Sequence, residues 1–235
     1  MVKLVQQANF ALGDENSIKK LAEKPNSKIL VISDSHGKPW ILKNILYKFG
    51  KGSDALFFCG DGMPDLISVL EEAHLDSGLM DFIPEAIFFV HGNGDNSTIP
   101  LLADERKLIQ VPVEAKAIVS GKKIFMTHGH SYNVYFGTKD LSLAGAKKGA
   151  DIIFYGHTHL AAVQKKKIQE KELIVLNPGS CSLPRGGMPN SFALVSIGKD
   201  GVKTSHIAIL NDDDGNILFQ PFSAPAKNEG EMRFF

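Results

Sequence analysis

The stretch Asp151-Ile-Ile-Phe-Tyr-Gly-His-Thr-His159 is an apolar run that ends at a glycine and then presents two histidines. Residues 151–155 have the length and residue types of a buried strand, and Gly156 ends it. His157 and His159 are therefore expected at the carboxyl end of that strand, where open α/β sheets place their sites. Because neutral imidazole is a common metal ligand, the stretch predicts a metal site, with two surface histidines in a turn as the alternative.

The same arrangement recurs at four apolar runs upstream, each of which ends in polar residues beside glycine. The four endings are Asp34-Ser-His36-Gly37, Gly60-Asp61-Gly62, His91-Gly-Asn-Gly-Asp95 and Thr127-His128-Gly-His130. One such ending is weak evidence, whereas five in succession are hard to attribute to chance. Carboxylate and imidazole without clustered thiolate favour Mn, Fe, Zn, Co or Ni over Cu(I) or an iron–sulfur cluster.

Helical patterns alternate with these strand-like runs. Residues 39–49 have helical periodicity, with Pro39 suited to the first turn and Gly50 to the stop. Pro64 is expected to open a second helix that Gly78 ends, and residues 141–148 predict a third. Since consecutive strands joined through a helix pair in parallel, the sequence predicts an α/β fold of two packed sheets flanked by helices.

The composition describes an ordinary globular protein of one large domain. The chain has 235 residues, 43% of them apolar, with 26 basic and 26 acidic side chains. The balanced charge gives no reason to expect strong binding to nucleic acid or to an anionic membrane. No stretch approaches a membrane span and the start lacks the features of a signal peptide, so the cytoplasm is the expected location. Cys59 and Cys181 are too few for a disulfide framework.

Taken in order, the five endings resemble the motifs of the calcineurin-like metallophosphoesterase superfamily. Asn177-Pro-Gly-Ser180 and Ser182-Leu-Pro-Arg-Gly-Gly187 are similar to its small bacterial and archaeal phosphodiesterase branch. The resemblance implies a four-layer α-β-β-α sandwich of two mixed sheets with a dimetal site at the strand carboxyl ends. It divides the chain into an N-terminal appendage (1–27), a metallophosphoesterase domain (28–212) and a C-terminal tail (213–235).

The resemblance also implies two divalent cations, with Mn foremost and Fe, Zn, Ni, Co or Mg as alternatives. Carried over by motif, the ligands of the first metal are Asp34, His36, Asp61 and His159. Those of the second are Asp61, Asn93, His128 and His157. Asp61 is expected to bridge because a carboxylate has two oxygens to share, and a hydroxide between the cations is the expected nucleophile.

Two further residues are candidates for catalysis beside Asp61 and Asn93. His130 is interpreted as a substrate contact or a support for His128, with a packed, hydrogen-bonded histidine as the alternative. Arg185 is interpreted as a bidentate contact to a substrate phosphate, against an ordinary surface arginine.

One position departs from the family pattern. Many members carry a histidine general acid directly after the motif asparagine, and here that position is Gly94. Without a proton donor there, esters with good leaving groups and diesters are favoured over monoesters unless another donor, such as His130, takes its place.

The leading function is therefore hydrolysis of a phosphodiester, with a small or nucleotide-like phosphate ester as the substrate. The alternatives are a phosphomonoesterase or nucleotide phosphatase, and a non-catalytic scaffold of the same fold. A retromer subunit exemplifies the scaffold but departs from the ligand pattern, whereas all seven ligand positions are filled here. No membrane partner is expected, and assembly into a homo-oligomer is left open.

Overall fold

The computed structural model describes residues 5–101 and 104–224, the side chains of residues 104–106 excepted. In chain order, the elements of the first half are β1 (Leu12–Gly13), α1 (Glu15–Leu21), β2 (Ser27–Ile32), α2 (Pro39–Phe49), β3 (Ala55–Phe58), α3 (Met63–Leu75), α4 (Ser77–Met80), β4 (Ala86–Phe89), β5 (Thr98–Leu101) and β6 (Asp104–Gln110). Those of the second half are β7 (Glu114–Val119), β8 (Lys122–Thr127), two 3-10 turns (His130–Tyr132 and Val134–Phe136), α5 (Lys139–Lys147), β9 (Ile152–Phe154), β10 (Ala162–Ile168), β11 (Lys171–Asn177), β12 (Asn190–Gly198), β13 (Gly201–Asn211) and β14 (Ile217–Phe222).

The strands form two mixed sheets and one separate hairpin. The larger sheet has the order β1-β4-β3-β2-β12-β13-β14, the smaller one has the order β10-β11-β9-β8-β7, and β5 pairs with β6. β2, β3 and β4 run parallel to one another, as do β8, β9 and β11. Within each set the carboxyl ends consequently lie at the same end of the sheet, and the loops with the predicted site residues follow them.

Alternation along β2 shows why the larger sheet is covered on both faces. Ile29 and Val31 belong to the core between the two sheets. Leu30 and Ile32 belong to the outer core, which they share with α2 and α3. Successive side chains of a strand face opposite ways, so a continuous apolar run such as β2 requires a packed layer on each side.

Aromatic side chains hold the two sheets together. Phe57 of β3 stacks on Phe88 of β4 with ring centroids 4.7 Å apart, and it meets the edge of Phe154 of the smaller sheet at 5.2 Å. On the far side of the smaller sheet, Leu141 of α5 packs into a third apolar cluster with Phe125. The order helix, sheet, sheet, helix confirms the predicted four-layer sandwich.

The described parts of both chain ends add strands to the larger sheet. β1 pairs with β4 through Leu12 and Ile87, and Leu21 of α1 is buried in the core between the sheets. β14 extends the opposite edge by pairing with β13. The division of the chain at residues 28 and 212 stays a prediction, and residues 1–4 and 225–235 lie outside the described ranges. Within those ranges no helix is long and apolar enough to cross a bilayer.

Candidate metal centre

Five of the candidate ligands have a left-handed backbone conformation. Asp34, His36, Asp61, His157 and His159 have φ angles between 45° and 68°. Only nine non-glycine residues of the described chain have a positive φ, and such angles cost energy for side chains other than glycine. Strain of this kind persists where surrounding contacts enforce it and it clusters at functional sites. The strand-end loops are therefore held in conformations that bring these side chains close to one another.

The first group of side chains contains the four residues predicted for the first metal. Each of Asp34, His36, Asp61 and His159 offers one ligand atom, and these atoms all lie within 4.8 Å of one another. The Nε2 atoms of His36 and His159 are 3.1 Å apart, and His159 Nε2 lies 3.2 Å from Asp34 Oδ1. Nitrogen and oxygen donors thus converge on one small volume.

The second group shares Asp61 with the first. One ligand atom each of Asp61, His128 and His157 lies within 4.8 Å of the others. His128 Nε2 is 3.4 Å from Asp61 Oδ2, and the ring centroids of His128 and His157 are 5.1 Å apart. The structure therefore brings six of the seven predicted ligands into two adjoining groups with Asp61 common to both.

The polar atoms of the two groups fit divalent cations. The Asp34 side chain is fully buried, and neither of its carboxylate oxygens has a hydrogen-bond partner among the described residues. His128 Nε2 is likewise buried without one. Burying an ionised group without compensation is costly, and a divalent cation supplies the missing interaction. Carboxylate and imidazole donors suit Mn, Fe, Zn, Co or Ni.

Backbone carbonyls fix the tautomer of two candidate ligands. His128 Nδ1 donates to Cys59 O at 2.7 Å, and His159 Nδ1 donates to Leu183 O at 2.6 Å. With the proton on Nδ1, the Nε2 lone pair of each neutral ring faces the neighbouring carboxylate, as a metal ligand requires.

The pKa shifts of the three residues in the second group differ in direction. Burial disfavours the charge of Asp61, but the nearby His128, helped by the Gly94 backbone N–H, outweighs burial and places the pKa of Asp61 below its usual range. Burial likewise opposes protonation of His128, yet Asp61 and Asp34 raise the pKa of His128. Burial, helped by the nearby His128, lowers the pKa of His157 to about 4. His157 is therefore neutral near pH 7 and available as a ligand.

Asp95 supports the loop that carries Asp61. Its carboxylate accepts backbone N–H bonds of 2.7 to 2.9 Å from Asp61, Gly62, Met63 and Gly92. Four charge-assisted bonds to one side chain tie the ends of β3 and β4 together. Asp95 thus acts on the backbone that presents the bridging candidate.

Asp65 performs the same task for the first loop, and sequence reasoning did not single it out. Its Oδ2 accepts from Ser35 Oγ at 2.6 Å and from the backbone N–H groups of Gly37 at 2.9 Å and Lys38 at 3.2 Å. An acidic residue in the first turn of α3 looks like an ordinary helix-start residue. Its burial, at 7% exposure, is visible only in the fold.

The loop after β11 holds Asp34 from the other side. Ser180 Oγ and Ser182 Oγ both donate to Asp34 O, at 2.7 and 3.0 Å. Asn177 Nδ2 donates to Gly156 O at 2.8 Å, at the start of the loop that carries His157. This region therefore supports the loops behind the two groups.

The remaining candidates lie around these groups. Asn93 is exposed, and the next residue, Gly94, donates its N–H to Asp61 Oδ1 at 2.8 Å. The ring of half-buried His130 lies 5.5 Å from that of His128 and 6.0 Å from that of His157. Burial, reinforced by nearby His128 and His91, lowers the pKa of His130.

Arg185 borders the group of the first metal. Its side chain is exposed, its backbone N–H donates to His159 O at 3.2 Å, and its Nη1 donates to the hydroxyl of Tyr135. Tyr135 in turn donates to His157 O at 3.0 Å. Sequence reasoning missed Tyr135, since a tyrosine between two loops has no local motif.

Comparison with known proteins bears on the family and the fold of the chain. The calcineurin-like phosphoesterase superfamily domain matches residues 28–200. Phosphodiesterase YfcE of Escherichia coli K12 is 28% identical over 176 residues, which cover 72% of this chain and 86% of the relative. A predicted phosphoesterase of Streptococcus pneumoniae TIGR4, with a solved structure, has a TM-score of 0.57 and 26% identity, covering 85% of this chain and 98% of the other. Vacuolar protein sorting 29 of Cryptosporidium parvum has a TM-score of 0.59 at 18% identity over 85% of this chain and 100% of its own, a likeness of fold alone. Because the family domain matches most of this chain, the chain belongs to the calcineurin-like phosphoesterase superfamily.

Proposed function

We propose that the protein hydrolyses a small phosphodiester at a centre of two divalent cations. The observation that carries this proposal is the pair of ligand groups that share Asp61. A site of this kind clamps a phosphoryl group from two sides, which suits in-line displacement at phosphorus. The name of the E. coli relative, a phosphodiesterase, supports the same reaction class.

The proposed roles follow the two groups. Asp34, His36, Asp61 and His159 hold the first cation; Asp61, Asn93, His128 and His157 hold the second. When bound, the two cations supply a deprotonated water near neutral pH and neutralise charge on the phosphoryl oxygens. Asp61 sets the spacing of the groups, with Oδ2 facing His128 and Oδ1 fixed by the Gly94 N–H.

Manganese is the proposed metal, with Fe, Zn, Ni, Co or Mg as alternatives. Neither Cys59 nor Cys181 belongs to the two ligand groups, and burial raises the pKa of both thiols well above the usual range. A donor set of carboxylate and imidazole without thiolate leaves these hard and borderline divalent ions as candidates.

The proposed preference for a diester rests on Gly94, and two side chains near the ligand groups, His130 and Arg185, are proposed to bind the substrate. Glycine at this position offers no proton to a departing alkoxide, which penalises leaving groups of high pKa. His130 and Arg185 are the proposed substrate contacts, and the Arg185 fork suits two oxygens of one phosphate.

The competing function is a non-catalytic scaffold of the same fold. The proposal is tested by stripping the protein of metal, reloading it with Mn²⁺, Zn²⁺, Ni²⁺ or Mg²⁺, and measuring hydrolysis of bis-p-nitrophenyl phosphate and p-nitrophenyl phosphate. We expect metal-dependent turnover with the diester faster than the monoester. Bound metal without turnover of any ester in a broad panel contradicts the enzyme and favours the scaffold.

A further inference from the structure

Tyr135 joins the two loops that border the candidate metal centre. Its hydroxyl donates to His157 O at 3.0 Å and accepts a hydrogen bond from Arg185 Nη1. Its ring packs edge-on against the ring of His157, with centroids 4.7 Å apart and an interplanar angle of 61°. A phenol has one proton to donate, so these two bonds use the hydroxyl as both donor and acceptor.

Arg185 is held at both ends. Its backbone N–H donates to His159 O at 3.2 Å, and its guanidinium carbon lies 5.8 Å from the centroid of the Tyr135 ring. That distance is within the range of a cation–π contact. An exposed arginine otherwise samples many rotamers, and fixing its fork before binding removes an entropic cost of recognition.

The two anchors tie Arg185 and Tyr135 to the loop that carries one histidine of each ligand group. Tyr135 contacts the backbone of His157, and Arg185 contacts the backbone of His159. These histidines belong to different groups, so the loop that Tyr135 and Arg185 contact contributes a side chain to each group. The Tyr135 bond uses one of the five N–H donors of the guanidinium. Among the described residues, Tyr135 is the only acceptor of a side-chain hydrogen bond from Arg185.

We propose that Tyr135 is a positioning residue that holds Arg185 ready to bind a phosphate oxygen of the substrate. This inference rests on the proposed function, and it assigns part of the affinity for the substrate phosphate to the Tyr135 hydroxyl. It adds to the metal clamp a third point of contact with the anion. Arg185 binds the phosphate, and Tyr135 acts through Arg185 without touching the substrate.

The test uses Tyr135→Phe, which removes the hydroxyl and keeps the ring against His157. The matched control is Tyr132→Phe on the neighbouring turn, where the hydroxyl donates to Glu114. Calorimetry measures inorganic phosphate binding to the Mn²⁺-loaded proteins, and steady-state kinetics measures turnover of bis-p-nitrophenyl phosphate. We expect Tyr135→Phe to weaken phosphate binding and to raise KM by about tenfold, the effect of one hydrogen bond to a charged group. We expect kcat of Tyr135→Phe to stay within about threefold of the parent value and its metal content to be unchanged. The control Tyr132→Phe should equal the parent in phosphate affinity, KM, kcat and metal content.

A double-mutant cycle with Arg185→Gln checks that Tyr135 acts through the arginine. Arg185→Gln alone is expected to weaken phosphate binding at least as much, and adding Tyr135→Phe to it is expected to cost no more than twofold further. Unchanged phosphate affinity in Tyr135→Phe overturns the inference, as does loss of metal with a fall in kcat, which marks a structural support of the loop. If the parent hydrolyses no ester while Tyr135→Phe still weakens phosphate binding tenfold, the inference stands and the proposed function fails.

Discussion

The backbone N–H of Gly94 donates a 2.8 Å hydrogen bond to Oδ1 of Asp61. The residue that occupies the place of the family's general acid is thereby fixed against the candidate bridging ligand. A Cβ atom added at Gly94 would lie 3.3 Å from the same oxygen, and Gly94 is not among the glycines with positive φ. A side chain can therefore be introduced there with a shift of a few tenths of an ångström.

We expect Gly94→His to raise turnover of esters with poor leaving groups by about a hundredfold, because general acid catalysis contributes that much in suitable geometry. Rates on a series of aryl and alkyl diesters measure the dependence on leaving-group pKa. The parent should show a steep dependence and the variant a flatter one. Gly94→Ala separates the effect of the imidazole from that of added bulk. A flat dependence in the parent would mean that another residue already donates the proton.

Asp61→Asn is expected to abolish or strongly weaken binding of both cations, since Asp61 belongs to both ligand groups. His159→Ala removes a member of the first group only and should chiefly weaken that site. Elemental analysis of the purified proteins measures metal content. Asp54→Asn serves as a control, because Asp54 pairs with Lys24 near the start of β2. Full metal content and activity in Asp61→Asn would contradict the shared site.

Asp95→Ala is expected to weaken metal binding by about tenfold to a hundredfold, the range for residues that orient metal ligands. Four backbone N–H groups lose their acceptor, and the loop with Asp61 loosens. Isothermal titration with Mn²⁺ measures the affinity. Asp76→Ala removes a carboxylate that caps the short helix α4 instead and should leave the affinity unchanged. Equal affinities of the Asp95 variant and the parent would refute the role given to Asp95.

Buried His206 should make the metal-free protein less stable in mild acid. Burial lowers the pKa of His206 in the folded state although its Nε2 faces Asn177 O. The unfolded chain then binds a proton that the folded protein does not, so stability is lost as the pH falls below the unfolded value near 6.5. His206→Gln should reduce this loss by up to about 1 kcal/mol per pH unit. Urea unfolding in the presence of a chelator, from pH 7.5 to 5.5, measures the free energy of unfolding. The control is His74→Gln, which changes an exposed histidine. If the free energy of unfolding depends on pH in His206→Gln as it does in the parent, the prediction is wrong.

Leu21→Ala is expected to lower the free energy of unfolding by about 2 to 5 kcal/mol, because Leu21 is 3% exposed in the core between the sheets.

Deleting residues 1–26 should lower the free energy of unfolding further, since β1 is lost with α1. Residues 1–26 contain no candidate ligand, so hydrolysis at a temperature where the shorter chain is folded should stay within a few-fold. Denaturant unfolding and diester turnover measure the two effects. Loss of metal from the folded, shortened protein would place this segment in the site.

Much of the larger sheet and of the helices could be predicted from local patterns. β2, β3 and β4 are continuous apolar runs, and α2 starts at Pro39 and ends before Gly50, as its sequence indicates. β1 and β14 were not predicted. β1 has two residues, and β14 has exposed side chains and Pro221. A strand at the edge of a sheet needs little apolar periodicity, because backbone pairing with the neighbouring strand fixes its conformation.

The sequence by itself determined which side chains stand at strand ends, because that placement depends only on where an apolar run stops. Only the tertiary structure decided how those ends meet: Asp61 falls between His36 and His128, and Asp65, Asp95 and Tyr135 hold the surrounding loops. Each of these contacts joins residues more than 20 positions apart. A carboxylate or phenol that bonds a distant backbone leaves no periodic or local signal, because the contact forms only when strand pairing and sheet packing bring the loops together.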